Sequence, residues 1–249
     1  MLSYFLAKVC RYRSGVCIQN LSRSFPNYSY KEIYACTQAF YQNLARILWE
    51  TIFPSIAKLE VCPAAQRKME ELGKRSRPIV LLLGHYGNWE VLNKLPQYTT
   101  VPVKALYKPL KNSLADYLVC NRRTRYGLKL IKSGQALRAL LKDKNSNSII
   151  IFIADQFPGY ENGIDVKFLN QQTKMFSGAE QIAKRLQASV GYIELTSKPN
   201  HTWEMDVQTI CENAADTTEG YITQTYAQML EASIHKVPSW WLWTHRRWK

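Results

Sequence analysis

Apolar and polar residues follow two patterns along this chain, and these patterns predict strands and helices in turn. Short apolar runs bounded by glycine, proline or polar residues have the length of strands, and they predict strands at 79–83, 101–106, 148–154, 189–196 and 202–210. Longer stretches with apolar residues every three or four positions predict helices at 112–126, 134–142, 177–187 and 218–235. This alternation predicts an α/β fold with a largely parallel central sheet flanked by helices, in which the last two strands are antiparallel.

The longest predicted helix precedes the first of these strands. Ser29 and Glu32 have the spacing of a capping box, and Pro54 is expected to end the helix. Apolar residues recur at helical spacing between these points, at Ile33, Cys36, Phe40, Leu44, Ile47, Leu48 and Ile52. This stripe predicts a face that packs on the core, with a lipid-docking surface as the alternative. Ser177 and Glu180 repeat the capping-box spacing at the start of a later helix.

The composition predicts one domain over residues 1–249. A hydrophobic content of 46% is sufficient for one full core, and no linker or internal repeat divides the chain. Residues 1–60 are expected to form a helical, membrane-proximal part of that domain. Residues 1–10 are apolar but shorter than the roughly 18 residues that span a bilayer, and they lack the cleavage site of a secretory signal.

The charge of the chain favours an anionic surface or an acidic partner. Its 33 basic and 19 acidic residues give a formal net charge of +14. Nucleic acid is the generic partner of such a protein, but the chain has none of the usual recognition motifs, and we expect no nucleic-acid binding. The six cysteines form no CxxC pair and have no histidine at metal-ligand spacing, so free thiols and no metal site are expected.

The strongest chemical signal follows the predicted strand 79–83. His85 lies in the turn after this strand, and Asn88 can cap a helix that contains Glu90. Residues five apart on one helix are turned by roughly 140°, so only a junction of a loop and a helix brings His85 and Glu90 together. The pattern predicts His85 as a general base and Glu90 as the carboxylate that orients it. The alternative is a turn histidine beside a solvated glutamate.

A second group of candidate residues lies at the same expected edge of the sheet. Asp155 follows another predicted strand, and ligands of open α/β sheets bind beyond the carboxyl ends of the strands. Asp155 is either structural or in contact with substrate, and Gln156 is next to it. Arg123 and Arg125 precede Gly127 at a helix end, where one can hold phosphate or both can favour the helix dipole.

Five segments together resemble the bacterial lipid A late acyltransferases, the lauroyl and myristoyl transferases of the lysophospholipid acyltransferase group. Residues 84–90 are similar to the His-x4-Asp/Glu block of that family, and residues 107–112 to its Tyr-Arg/Lys-Pro block. Residues 123–127 resemble its Arg-x-Arg stretch and 155–156 its Asp-Gln loop, while 243–249 resemble its C-terminal signature. The chain departs from the family pattern by having Trp240 in place of a glutamine.

The resemblance implies a glycerolipid acyltransferase-like fold and an O-acyltransferase. It implies transfer of a fatty acyl chain from the thioester of acyl carrier protein to a hydroxyl of a lipid A precursor, with no metal and no cofactor. The site residues would be His85 and Glu90 for catalysis, and Asn88, Lys108, Arg123, Arg125, Asp155 and Gln156 for substrate. The protein would work on an anionic membrane surface, at the cytoplasmic face of the bacterial inner membrane, either peripherally or anchored by a short N-terminal segment.

Three alternatives remain open from the sequence. An enzyme of the same group can act on another membrane lipid, such as an aminolipid or a glycolipid. A basic protein that binds membrane or nucleic acid without catalysis belongs to a different class. A serine hydrolase is disfavoured, because the chain has no Gly-x-Ser-x-Gly motif.

The C-terminal segment allows two interpretations. Trp240, Trp241, Trp243 and Trp248 alternate with basic residues there, a mixture that favours a membrane interface. The tail can instead fold back, bury Trp243 and leave its cations facing phosphate. We expect a combination of the two arrangements.

Overall fold

A computed structural model describes residues 12–73, 77–143, 146–160 and 163–248. The membrane-proximal segment 1–10 and the last residue of the C-terminal signature, Lys249, lie outside these ranges. The helices of the described chain are α1 (Ser14–Ser24), α2 (Tyr30–Ile52), α3 (Pro63–Gly73), α4 (Ser113–Thr124), α5 (Ala136–Lys142), α6 (Gly178–Leu186) and α7 (Tyr221–Lys236). Short 3-10 helices add Trp89–Tyr98, Ser133–Gln135, Ala214–Asp216 and Pro238–Trp240.

The strands are β1 (Lys58–Val61), β2 (Ile79–Leu83), β3 (Val103–Tyr107), β4 (Lys129–Lys132), β5 (Ile149–Ile153), β6 (Ile164–Phe168), β7 (Gln171–Met175), β8 (Ser189–Lys198) and β9 (Thr202–Cys211). Seven of them form one sheet in the order β1-β9-β8-β2-β5-β3-β4. All neighbours in it are parallel except β8 and β9, which are antiparallel, while β6 and β7 form a separate hairpin. The predicted α/β fold and the antiparallel last pair are confirmed.

Apolar side chains cover both faces of the sheet. The inner strand β2 is buried along its whole length, as expected for a parallel strand with helices on both sides. One face packs against α2, α5, α6 and α7, and against the C-terminal tail. The other face packs against α3 and the 3-10 helix Trp89–Tyr98. The sheet therefore holds the turn after β2 between two well-packed layers.

The predicted stripe on α2 is confirmed for most of its length. Ser29 and Glu32 form the capping box, and Ile33, Phe40 and Leu44 are buried in the core. Leu48 and Ile52 are exposed, so the C-terminal end of the stripe does not pack on the core. Among the described residues, no helix combines the length and the apolar character needed to cross a bilayer.

The predicted capping box at the start of α6 is wrong. Ser177 makes no side-chain cap, and Glu180 turns into the core instead. Its carboxylate accepts hydrogen bonds from the backbone N–H groups of Gly220 and Thr223 at 2.7 and 2.9 Å. Glu180 therefore caps α7 from another helix, because the free amides of a helix N-terminus attract a carboxylate.

The C-terminal tail folds back into the protein. Trp241, Trp243 and Arg247 are almost completely buried, whereas Arg246 is exposed. Arg247 donates to Thr173 Oγ1 and to Met175 Sδ, and so ties the tail to β7. Burial lowers the pKa of Arg247 to about 10. The expectation that the cations of the tail face phosphate is therefore wrong for Arg247, which lies inside.

Candidate active site

The turn after β2 is held closely against neighbouring chain. A Cβ atom on Gly84 would lie 2.7 Å from Leu230 Cδ1 and 3.2 Å from Asp155 Oδ2, so glycine permits the close approach of both side chains. Tyr86 forms a backbone bridge with Trp241. The N–H of Leu242 donates to the carbonyl of His85 at 3.0 Å. The C-terminal tail thus closes over the turn that carries the histidine.

Gly87 has a backbone φ of +68°, and a Cβ atom there would lie 2.9 Å from Trp203 Cζ3. Both conditions exclude an L side chain at this position. We expect Gly87→Ala to lower the free energy of unfolding by about 2–3 kcal/mol, measured by urea denaturation. Gly134→Ala is the control, because no atom lies within 4 Å of its added Cβ, and it should change stability by less than about 0.5 kcal/mol. Equal effects of the two substitutions would contradict this account.

The carboxylate that holds His85 is Asp155. Asp155 Oδ1 lies 2.6 Å from His85 Nδ1, and Asp155 Oδ2 accepts from the backbone N–H of His85 at 2.9 Å. The indole N–H of Trp241 donates to the same Oδ2 at 2.8 Å. The pair forms because β2 and β5 are parallel neighbours, with Leu83 opposite Ile153. The expectation that His85 and Asp155 share one edge of the sheet is confirmed.

Asp155 is ionised across the physiological range. Burial alone would raise the pKa of Asp155, but the His85 ring, the His85 amide and the Trp241 indole lower it to about 2. An ionised carboxylate only accepts hydrogen bonds, so Nδ1 of His85 carries a proton. The other ring nitrogen, Nε2, is then the basic atom of the neutral ring. This arrangement prepares His85 to take a proton at Nε2.

The Nε2 side of His85 faces an accessible part of the molecule. The side-chain amide nitrogen of Gln156 lies 3.5 Å from Nε2, a long contact that leaves this nitrogen open to a stronger hydrogen-bond partner. The indole of Trp89 packs edge-on against the imidazole, with ring centroids 4.8 Å apart. The His85 side chain retains 16% of its exposure. A substrate hydroxyl can therefore reach Nε2.

Glu90 does not bind the imidazole, and the prediction that it orients His85 is wrong. Its two carboxylate oxygens bind Arg123, with Arg123 Nε donating to Oε2 at 2.9 Å and Nη2 donating to Oε1. Burial alone would lower the pKa of Arg123, but the Glu90 carboxylate raises it. The 3-10 helix directs Glu90 toward α4, whereas the ring of His85 points toward β5. Spacing alone could not distinguish these two carboxylates.

The same pair gives a direct test of coupling. We expect Glu90→Gln and Arg123→Gln each to lower the free energy of unfolding, with a non-additivity of about 1–2 kcal/mol in a double-mutant cycle measured by urea denaturation. The exposed pair Asp165 and Lys174, 3.0 Å apart, serves as the control, and its coupling should be below about 0.5 kcal/mol. Additive effects at Glu90 and Arg123 would show that the pair does not form in solution.

Asn88 fulfils the predicted capping role, but its side chain is directed away from a substrate. Asn88 is buried, and its Oδ1 accepts from the N–H of Glu90 at 3.1 Å. Its Nδ2 donates to Glu50 Oε2 at 2.7 Å. The prediction that Asn88 binds substrate is therefore not supported by this geometry. The residue instead joins the site to helix α2.

Glu50 is a buried carboxylate that sequence reasoning did not identify. It accepts four hydrogen bonds, from Arg46, Asn88, His201 and Trp203, at 2.7 to 2.8 Å. Burial alone would raise the pKa of Glu50, but these donors lower it. The cluster fixes Asn88 and thereby the start of the helix that carries Glu90.

The other predicted substrate residues surround the site at different distances from His85. Lys108 and Arg125 are exposed, and Arg125 lies beside the ring of Tyr126. Lys108 and Gln156 line a groove of about 1050 Å³, which opens among β3, β5, α5 and α6. A smaller apolar pocket behind Trp89 ends at Glu90 and Arg123. The structure thus brings Asp155 and Gln156 to His85, and leaves Lys108 and Arg125 at the surface.

Two further predictions concern backbone amides and thiols. The amides of Gly87 to Trp89 were expected to stabilise an oxyanion, but the N–H of Gly87 donates to the Trp240 carbonyl at 3.1 Å. The prediction remains for the amides of Asn88 and Trp89. Among the described residues, Cys17, Cys36, Cys62, Cys120 and Cys211 are free thiols, and no cluster of three metal-ligating side chains occurs. Cys10 lies outside the described ranges.

Comparison with known proteins gives one match. The family model described as bacterial lipid A biosynthesis acyltransferase matches residues 3–249, which is nearly the whole chain. No curated protein matches the sequence.

Proposed function

Since the chain belongs to the bacterial lipid A biosynthesis acyltransferase family, we propose that it transfers a fatty acyl chain from an acyl carrier protein thioester to a hydroxyl of a lipid A precursor. The observation that carries this proposal is the contact between Asp155 Oδ1 and His85 Nδ1 at 2.6 Å, which leaves Nε2 as a base beside an accessible surface. The family acts in lipid A-type biosynthesis. The donor, the acceptor and the residue roles are our proposal.

The proposed reaction is a direct transfer in two steps. His85 Nε2 removes the proton of the acceptor hydroxyl while its oxygen attacks the thioester carbonyl carbon, which forms a C–O bond and a tetrahedral oxyanion. The intermediate collapses with cleavage of the C–S bond, and the departing sulfur takes the proton from the imidazolium. Asp155 fixes the ring and stabilises its positive charge during the step. The mechanism requires no cofactor and no covalent enzyme intermediate.

Features around His85 support a lipid substrate and an acidic donor. Apolar walls such as those of the pocket behind Trp89 suit a hydrocarbon chain, and the groove beside Gln156 is large enough for a further part of a lipid. Lys108 and Arg125 are exposed cations that suit phosphate groups on the acceptor. The net charge of +14 would attract an acidic carrier protein and an anionic membrane surface. We place the reaction at the cytoplasmic face of the bacterial inner membrane.

The proposal is tested by incubating the protein with labelled acyl chain on acyl carrier protein and with a panel of detergent-dispersed acceptors. We expect the label to appear on the lipid A precursor as an ester. Labelling of an aminolipid or a glycolipid instead would retain the acyltransferase and overturn the acceptor. Transfer from acyl coenzyme A but not from acyl carrier protein would overturn the donor.

A further inference from the structure

Helix α4 carries its apolar residues on the side that faces solvent. Leu114, Tyr117 and Leu118 are spaced three and four residues apart, so they lie on one face of the helix. They are 66%, 65% and 48% exposed, respectively. A surface helix of a globular protein ordinarily has the opposite arrangement, with its apolar face toward the core. The exposed face of α4 is therefore that of a helix that contacts an apolar partner.

The opposite face of α4 is directed toward the protein by polar contacts. None of the residues of α4 is fully buried. Arg123 on this inner face binds Glu90, one turn from the His85 segment, and Asp116 accepts from the backbone N–H of Leu110. Loose apolar packing thus does not explain the orientation of the helix. Its outer face lies directly over the elements that build the candidate active site.

The C-terminal end of α2 extends this apolar surface. Arg122 Nη1 donates to the carbonyl of Thr51 at 3.4 Å, which brings the end of α2 next to α4. Large side chains from both helices are exposed there, and the rings of Trp49 and Phe53 contact each other with centroids 4.4 Å apart. We call this the α2–α4 surface, and its residues are Trp49, Ile52, Phe53, Leu114, Tyr117 and Leu118.

Cations accompany the apolar residues. Lys108 and Lys111 precede α4, and Arg122 and Arg125 lie at its C-terminal end, all of them exposed. Tryptophan and tyrosine favour the boundary between hydrocarbon and water, and lysine and arginine favour anionic headgroups. A helix with an apolar face and basic ends is the usual form of an interfacial membrane anchor.

We propose that the α2–α4 surface docks the protein on an anionic lipid bilayer, next to the site. The inference rests on the proposed function, because a lipid acceptor is held in a membrane. Docking through the outer face of α4 would keep its inner face, with Arg123 and Glu90, within reach of lipid headgroups. The acceptor could then approach His85 without leaving the bilayer entirely.

Vesicle flotation of the full chain tests this inference. The probes are vesicles of phosphatidylcholine, with and without phosphatidylglycerol, and they contain no acceptor. We expect the triple substitution Leu114→Ser, Tyr117→Ser and Leu118→Ser to weaken binding to the anionic vesicles by at least about tenfold. The matched control is Tyr221→Ser with Val237→Ser, which removes two exposed apolar side chains from the ends of α7 and should bind like wild type. Circular dichroism verifies that each variant is folded.

The outcomes separate this inference from the proposed function. Acyl transfer to detergent-dispersed acceptor should be unchanged in the triple variant, since none of its residues contacts His85 or Asp155. Wild-type vesicle binding without any acyl transfer would overturn the proposed function and leave the docking surface standing. Equal vesicle binding by the triple variant and wild type would overturn the surface, as would selective loss of acyl carrier protein binding.

Discussion

Replacing His85 by alanine is expected to lower the rate of acyl transfer by about two to four orders of magnitude, with the protein still folded. Removal of a positioned general base has an effect of this size. His85 supplies the basic Nε2 atom beside the accessible surface at Gln156, 3.5 Å away. The measurement is the initial rate of labelled acyl transfer from acyl carrier protein at saturating acceptor.

A second histidine provides the control for this substitution. His235 is 48% exposed on α7 and contacts Glu231 one turn away on the same helix. His235→Ala should retain transfer within about twofold, as expected for a surface change away from the site. Wild-type activity in His85→Ala would remove the catalytic proposal and would favour a basic protein that binds membrane without catalysis.

Sequence patterns predicted the frame of this site because the frame depends on local periodicity. Buried parallel strands are continuous apolar runs, and β2 and β5 have this form. Their carboxyl ends meet at one edge, which brings His85 and Asp155 together. Short strands were missed, because β1 and β4 have only four residues each and contain lysine. Such segments pair through the sheet rather than through a pattern of their own.

The contacts that complete the site join residues far apart in sequence. Trp241 reaches Asp155 across 86 positions, and Asn88 reaches Glu50 across 38. A short spacing favoured Glu90 as the partner of His85, but the course of the chain after Asn88 directs Glu90 to Arg123. The choice between two carboxylates is a matter of three-dimensional direction. It becomes predictable only when the pairing of β2 with β5 is known.

Replacing Asp155 by asparagine is the second large effect that we expect. Acyl transfer should fall by about three to four orders of magnitude, because an amide at this position favours the wrong tautomer of the imidazole and cannot stabilise its positive charge. The shape of the side chain is retained, and the indole N–H of Trp241 still has an oxygen to bind. The loss would therefore report the charge and the tautomer rather than a missing contact.

The same substitution should change stability in a way that depends on pH. The pKa of Asp155 is lowered in the folded protein to about 2, so the ionised group stabilises the fold above pH 4 by about 2 kcal/mol. That contribution is lost as the pH falls from about 4 to about 2. Asp155→Asn should lower the free energy of unfolding at pH 7, with a smaller difference from wild type at pH 3. Urea denaturation at the two pH values measures it.

A double-mutant cycle decides which carboxylate acts through the imidazole. On the His85→Ala background, where no ring remains to be oriented, Asp155→Asn should lower the residual transfer rate by less than about threefold. Glu90→Gln should have the same relative effect on both backgrounds, since Glu90 binds Arg123 and not His85. The opposite result, in which only the effect of Glu90→Gln disappears without the histidine, would establish Glu90 as the working partner during catalysis. The contact between Asp155 and His85 would then be structural, and the transfer step would need a rearrangement of the turn after β2.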